Sequence, residues 1–488
     1  MKKLIPMFVT GLQVITALVA AYYIFLFIYI AISRIAFPIP FDWVEGAVLV
    51  QVHRAMLGQP LYTQPSMEYV PLVYQPVYFY LAAPLLKLLG IGFLAPRLLS
   101  VLASGGCMLT IFLLTRHLSS KNHIGILAAG FFAATNGIVW LWFDFAKVDM
   151  LCILFLLLGI YFFIQNSQRS SILAAIFCSL AFFTKQTAIP FIALMLMYAL
   201  LTQRKQAILF VAMVGISIGA ITLLMQAQSN GWYAYYVYTL PSYHRINTSP
   251  ENINYILNSI LQPVALMLIM LFIALLWDVR KNFSNHPTRL VVLLTLAAYA
   301  VSILGALATG STRNAFIPAY ALTAILLGIG VHHLQEKFKQ WQQPLWQVFA
   351  MVGLMGLCCI QLVSMNYKTK GYLPDPKDFQ EANALLTSLH QTPGQFLIPA
   401  YNYLALHAEK TVYYHEAPLG EFNGWYGKNL PAWADIHQQI VTSVQSKQIN
   451  IIYMNKPDKI WLGLTCKKNH VLQSQRKMVP TLYGMVCQ

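Results

Sequence analysis

The stretch FVTGLQVITALVAAYYIFLFIYIAISRIA (residues 8–36), running straight into FPIPFDWVEG (37–46), decides how the rest of the chain reads. Its apolar part holds a single charge, Arg34, in 29 residues. A helix rises about 1.5 Å per residue, so about 20 apolar residues span a bilayer core. The run is too long for a cleaved signal peptide and has no small-residue cleavage site behind it, which predicts a retained membrane helix. Immediately beyond it Asp42 and Glu45 stand three residues apart, beside Pro38, Pro40 and Trp43. An isolated D-x-x-E after a membrane helix reads as a solvated loop. Here the placement of the other charges argues instead for the acidic corner of a site at the membrane–water interface.

Composition points to a polytopic membrane chain. Of 488 residues, 58% are hydrophobic and 10% charged, against about 25% charged in soluble domains. The formal charge of +16 is explained by basic membrane loops, and no nucleic-acid partner is expected. The seven cysteines show no C-x-x-C spacing. Most lie in apolar runs, whereas Cys466 and Cys487 lie in a polar tail and are free to pair if that tail faces an oxidising compartment.

Basic residues set the predicted topology. Lys2 and Lys3 place the N-terminus in the cytoplasm and residues 37–97 outside. Val70 to Leu89 carries Pro71, Pro76, Pro84 and many tyrosines, which suits an interfacial helix better than a span. Spans follow at Leu98–Thr115, Ile124–Phe143 and Met150–Ile164. Ile172–Leu201 should form two short helices that turn at Thr184-Lys185-Gln186 on the outer face. Further spans fall at Ala207–Met225, Ile260–Trp277, Leu290–Ala308, Ala315–Val331 and Leu345–Ser364. About eleven crossings result, with Lys121, Lys205 and Lys281 inside and Lys185 outside. The expected fold is an all-α polytopic membrane domain (1–365) followed by a small α/β domain outside the cytoplasm (366–488). That tail mixes strand-like runs (Gln395–Pro399, Asn450–Met454) with a helix-like one (Asp378–Leu389). No internal repeat is visible.

The acids sort by side. Of eight carboxylates before the tail, six fall outside under this topology: Asp42, Glu45, Glu68, Asp144, Asp149 and Glu251. Insertion does not demand this, because Asp and Glu contribute little to topology. Arg54, Lys147, Lys185 and Arg313 join them against the positive-inside trend. Charges at membrane helix ends are costly unless paired or wet, and so mark candidate functional sites. Each has a bland reading as well. Asp149 suits a helix N-terminus, Lys185 could snorkel, Arg313 could anchor at the interface, His53 is a polar residue on an amphipathic helix, and Asp144 is a spare interface group. Taken together they have one chemical logic. Asp42, Glu45 and Asp149 could hold a divalent cation (Mg²⁺, Mn²⁺ or Ca²⁺) and deprotonate an acceptor hydroxyl. Lys185, Arg54, Lys147 and Arg313 could hold an anionic leaving group at the membrane surface.

In order along the chain, these motifs resemble the GT-C superfamily of membrane glycosyltransferases, in its protein mannosyltransferase-like and lipid A aminoarabinose transferase-like branch. The matching pieces are Asp42-Trp43-Val44-Glu45-Gly46, "LGQPLYTQPSMEYVPLVYQPVYFYLAAPLLKLLG", "APRLLSVL", "AKVDMLCILFLLL", "FFTKQTAI" and "TRNAFIPAYALTAIL". The resemblance covers most of residues 1–335. It implies an inverting enzyme that takes a sugar from a polyprenyl-phosphate donor to a hydroxyl acceptor at the non-cytoplasmic face of a bilayer; the compact loops and short N-terminus point to a bacterial inner membrane rather than the endoplasmic reticulum. It implies Asp42 or Glu45 as base or metal ligand, Asp149 completing the site and Lys185 near the donor phosphate. The chain departs from the pattern where some members place a lysine before the Pro-rich turn and Tyr74-Gln75-Pro76 stands instead. The first motif is also D-x-x-E rather than adjacent D-E, which leaves the choice between Asp42 and Glu45 open. The competing reading is a transporter or flippase for a lipid-linked glycan. It calls for polar residues at mid-bilayer depth and broken helices, whereas these spans are nearly free of charge at their centres.

Overall fold

The computed structural model describes residues 4–202, 204–260, 265, 286–426, 429–457 and 460–487. With no water in the bilayer core, an apolar run satisfies its backbone only by coiling into a helix. Every predicted span within the described residues does so, Ile124–Phe143 only as far as Ala134. The span at Ile260–Trp277, with Asp278, Arg280 and Lys281, lies outside the described residues apart from Ile260 and Ala265. The helices are α1 (Leu4–Arg34), α2 (Glu45–Met56), α3 (Val77–Leu89), α4 (Leu94–Ser119), α5 (Asn122–Ala134), α6 (Asp149–Phe163), α7 (Gln168–Phe182), α8 (Ile189–Thr202), α9 (Arg204–Gln228), α10 (His286–Leu307), α11 (Ile317–Lys339) and α12 (Pro344–Ser364). Six helical stretches among the described residues are long and apolar enough to cross a membrane: Met7–Arg34, Leu94–Ser119, Ala207–Gln228, Pro287–Leu307, Arg313–Lys339 and Pro344–Ser364. α3, α5, α6, α7 and α8 are shorter.

The bundle is held by close helix pairs: α1 with α5 and α12, α4 with α5 and α6, α6 with α7, and α11 with α4, α5 and α10. Small residues allow the approach. A Cβ at Gly130 would lie 2.4 Å from the Ala20 carbonyl oxygen, so α5 meets α1 only because position 130 has no side chain.

The expected span Ile124–Phe143 is shorter than its apolar run. α5 stops at Ala134, Trp140 and Leu141 take positive φ, and Trp142–Asp144 forms one turn of 3-10 helix. Asn136 causes the reversal. Its backbone carbonyl accepts from Leu141 N at 2.8 Å and its side-chain oxygen accepts from Phe143 N at 3.2 Å. Irregular backbone at this depth survives because protein covers it. Asp144, expected at a wet interface, is buried in this turn and faces Arg34 Nη1 at 3.3 Å.

The tail begins with α13 (Pro376–Gln391), capped reciprocally by Asp375 and Asp378. Its five-stranded sheet has the order β1-β2-β5-β4-β3, with β1 (Phe396–Leu397), β2 (Ile451–Met454), β3 (Ile460–Trp461), β4 (Leu464–Leu472) and β5 (Leu482–Cys487). β1 and β2 run parallel and the other neighbours antiparallel. α14 (Ala432–Gln445) lies between β1 and β2 in sequence. Cys466 and Cys487 are cross-strand partners joined by a disulfide. The tail docks on the bundle end where α1 finishes and α6 starts. Trp43 Nε1 donates to Glu416 Oε1 (2.8 Å), Tyr414 N to Met67 O (2.9 Å) and Arg245 N to Tyr426 O (2.8 Å).

Candidate active site

At that junction lies a cavity of about 340 Å³. Asp42, Trp43, Tyr74, Trp142, Lys147, Asp149, Lys185, Gln186 and Asn314 line it from the membrane part, and His244, Glu421 and Tyr426 close it from above the bundle. Four separate segments deliver its two lysines and two aspartates. The loop after α1 brings Asp42, and the irregular 135–148 segment brings Lys147. The first turn of α6 brings Asp149, and the turn between α7 and α8 brings Lys185.

Two lysine–aspartate pairs face the cavity. Lys147 Nζ lies 2.5 Å from Asp42 Oδ1, which also accepts from Val44 N at 2.9 Å. Among the described residues nothing donates to Asp42 Oδ2, so one carboxylate oxygen remains open. Asp149 is fully engaged. Its Oδ1 takes Lys185 Nζ at 2.6 Å and Asn314 Nδ2 at 3.1 Å, and its Oδ2 takes Trp142 Nε1 at 3.0 Å. Burial disfavours the Lys185 ammonium, but the Asp149 carboxylate outweighs it and holds the group above the usual lysine value. The α7–α8 turn is fixed by Gln186, which donates to Val73 O (3.0 Å) and Val237 O (3.2 Å).

Glu45 is not in the cavity. Its side chain is fully buried and grips Arg97 through both oxygens, at 3.1 Å to Nε and 2.9 Å to Nη2. It also accepts from Ala146 N (2.6 Å) and Phe41 N (2.7 Å). Burial alone would raise its carboxyl, but Arg97 and these amides hold it below the ordinary glutamate range. Arg97 in turn donates to the carbonyls of Arg34, Phe37 and Ile39. The pair is a clamp that shapes residues 34–45. Arg54 and Arg313 also stand apart from the cavity. Arg54 stacks on Tyr69 at 3.9 Å and donates to Pro60 O. Arg313 stacks on Trp140 at 4.6 Å and donates to Ile138 O.

The structure adds groups that charge sorting missed. His244 Nε2 and Glu421 Oε2 sit 2.7 Å apart at the cavity mouth, and Asn314 supports Asp149. The dense run His415-Glu416 to Glu421, followed by Trp425-Tyr426, was the available signal in the tail.

A divalent cation does not fit this donor set. No group of three His, Cys, Asp or Glu converges among the described residues. More tellingly, an ammonium already sits on Asp42, another on Asp149, and a guanidinium on Glu45. Hard cations want several free oxygen ligands, and of the three acids expected to hold one only Asp42 keeps an oxygen without a donor among the described residues. The expected set of Asp42, Glu45 and Asp149 is thus split between two rims of the cavity and the dry interior.

Comparison with known proteins agrees with this architecture. Residues 70–232 match the family model "Dolichyl-phosphate-mannose-protein mannosyltransferase". No curated protein matches the chain in sequence. Among solved structures, the chain is similar to ArnT from Cupriavidus metallidurans bound to undecaprenyl phosphate. The TM-score is 0.61 at 12% identity, over 95% of this chain and 97% of that one. Its apo state gives a TM-score of 0.62 at 11% identity, with the same coverage. The Archaeoglobus fulgidus oligosaccharyltransferase in complex with Zn and sulfate gives 0.55 at 11% identity, over 91% of this chain and 67% of that one. The chain shares its fold with these solved membrane proteins.

Proposed function

We propose that this chain is an inverting glycosyltransferase that moves a sugar from a polyprenyl-phosphate donor to a hydroxyl acceptor on the non-cytoplasmic face of a bacterial inner membrane. The observation that carries this reading is the open oxygen of Asp42 sharing one cavity, at the ends of membrane helices, with the ammonium groups of Lys147 and Lys185. Asp42 Oδ2 takes the acceptor proton as the acceptor oxygen bonds to the anomeric carbon. The bond from that carbon to the phosphate oxygen breaks on the opposite face, and the electron pair leaves with the polyprenyl phosphate. Lys185, oriented by Asp149 and Asn314, meets the departing charge. A general base contributes typically ~10²–10⁴ in rate, and preorganised charge beside the leaving group adds to it. The undecaprenyl phosphate held by the Cupriavidus ArnT supports the donor class, and the Cys466–Cys487 disulfide supports an oxidising side for the tail.

The test uses purified protein in liposomes with polyprenyl-phosphate sugars extracted from the producing membrane and the matching envelope fraction as acceptor. Transfer should release polyprenyl phosphate and give a product of opposite anomeric configuration by NMR. Passage of intact lipid-linked sugar across the bilayer with no cleaved product would overturn the reading in favour of a transporter.

A further inference from the structure

A second cleft, of about 560 Å³, lies wholly in the tail. Three indoles line it: Trp425 from the loop before α14, Trp433 from α14 itself, and Trp461 from β3. Trp425 is 51% exposed, a large apolar ring turned to water. Asn423, Asn455 and Glu416 line it as well. Trp residues with exposed faces and nearby amides are the chemistry of pyranose binding. The C–H face of a sugar ring lies on the electron-rich face of an indole, and its hydroxyls both donate to and accept from amide and carboxylate groups. Apolar walls with a few placed polar groups are also the general make-up of a ligand site.

The position of the cleft matters as much as its lining. Glu416 belongs to this cleft, while the next residues, Ala417 and Pro418, line the first cavity. The partition between the two is Trp43, the residue after Asp42. Trp43 donates to Glu416 at 2.8 Å and its ring centroid lies 6.1 Å from that of Trp425. We propose that the tail cleft is an acceptor subsite for an oligosaccharide, seated on Trp425, Trp433 and Trp461 so that its terminal sugar passes Trp43 and presents a hydroxyl to Asp42. This rests on the transferase reading above and names its acceptor as a glycan.

The experiment separates binding from chemistry. Full-length protein in nanodiscs is applied to an array of short neutral and acidic oligosaccharides, together with arrayed envelope peptides. The wild type should retain a defined glycan set, and Asp42→Asn should retain the same set. Trp425→Ala and Trp461→Ala should each weaken binding by roughly tenfold or more, the size expected when an aromatic anchor is truncated. Trp433→Phe, which keeps the buried part of the ring, guards against loss of fold, and unchanged thermal melting certifies each variant. Glycan binding that is absent in the wild type, or equal in the tryptophan variants, would sink the subsite even if transfer is observed. Peptide capture would do so too. Glycan binding without any sugar transfer would leave the cleft standing and remove the transferase reading.

Discussion

Asp42 and Glu45 belong to one short motif yet sit in opposite environments. The Asp42–Lys147 pair opens on the cavity, with 18% of the aspartate side chain exposed, and so does Asp149–Lys185, where the lysine is 20% exposed. The Glu45–Arg97 pair is 0% exposed on both sides, and Arg34–Asp144 is nearly as dry. In the wet pairs one partner can be exchanged for a substrate group, because water and ligand reach it. In the dry pairs every lone pair is engaged within the protein, or, for Asp144, sealed from water, so exchange would leave a bare charge. A buried pair adds little net stability over a packed apolar substitute, but removing one partner costs about 3–5 kcal/mol. The wet pairs carry chemistry, and the dry pairs hold the shape that carries them.

The largest expected effect breaks the wet side. Asp42→Asn should lower kcat by ~10²–10⁴ with unchanged melting temperature and membrane insertion, read by steady-state kinetics and by thermal unfolding in detergent. A rate close to wild type would mean that Asp42 is not the base. Next comes the dry side. Arg97→Ala should cost about 3–5 kcal/mol of stability, seen as poor folded yield or a lowered melting point. Glu45→Gln should behave similarly with a smaller loss. The same contrast has a pH signature. The Glu45 carboxyl is held below its unfolded value of 4.5, so its stabilisation is full above that pH and disappears as pH falls through the lower folded value.

A smaller change is expected at the phosphate end. Lys185→Ala should raise the apparent KM for the lipid-phosphate donor roughly tenfold, the effect of losing about 1.4 kcal/mol of charge-assisted binding, and should lower kcat as well, because the phosphate is charged in both ground and transition states. Wild-type kinetics in this variant would restore the snorkelling reading. The smallest effect is none at all. Excess chelator should leave transfer unchanged, because Lys147 and Lys185 occupy the positions a cation would take; a chelator-sensitive rate restored by Mg²⁺, Mn²⁺ or Ca²⁺ would reverse that conclusion.

Much of the architecture was legible in the chain order. Apolar run length marks helices because the bilayer leaves backbone groups no other partner, and α7 and α8 turn at Thr184–Gln186 much as the basic residues on either side required. The tail's first helix and two of its strands were readable from their patterning. Charge placement singled out Asp149 and Lys185 one by one, and the structure pairs them. The end of α5 did not. Residues 135–143 are apolar enough to continue a span, and only contacts of Asn136 within the fold turn them back. Sorting charges by side could not separate Asp42 from Glu45 either, since both lie beyond the same helix end.

The sequence by itself determined a many-helix membrane chain with a polar tail and with acids and bases gathered at one end of its helices. Hydropathy and charge are local properties, and they act residue by residue on insertion. Tertiary structure alone decided which of those charges meet water. Arg97, a residue of the next long helix, reaches back across the bundle to take Glu45, and Lys147 reaches Asp42 only because α5 ends early. Pairing of this kind depends on helices distant in sequence arriving within 3 Å of one another, and no pattern within a single segment encodes that distance.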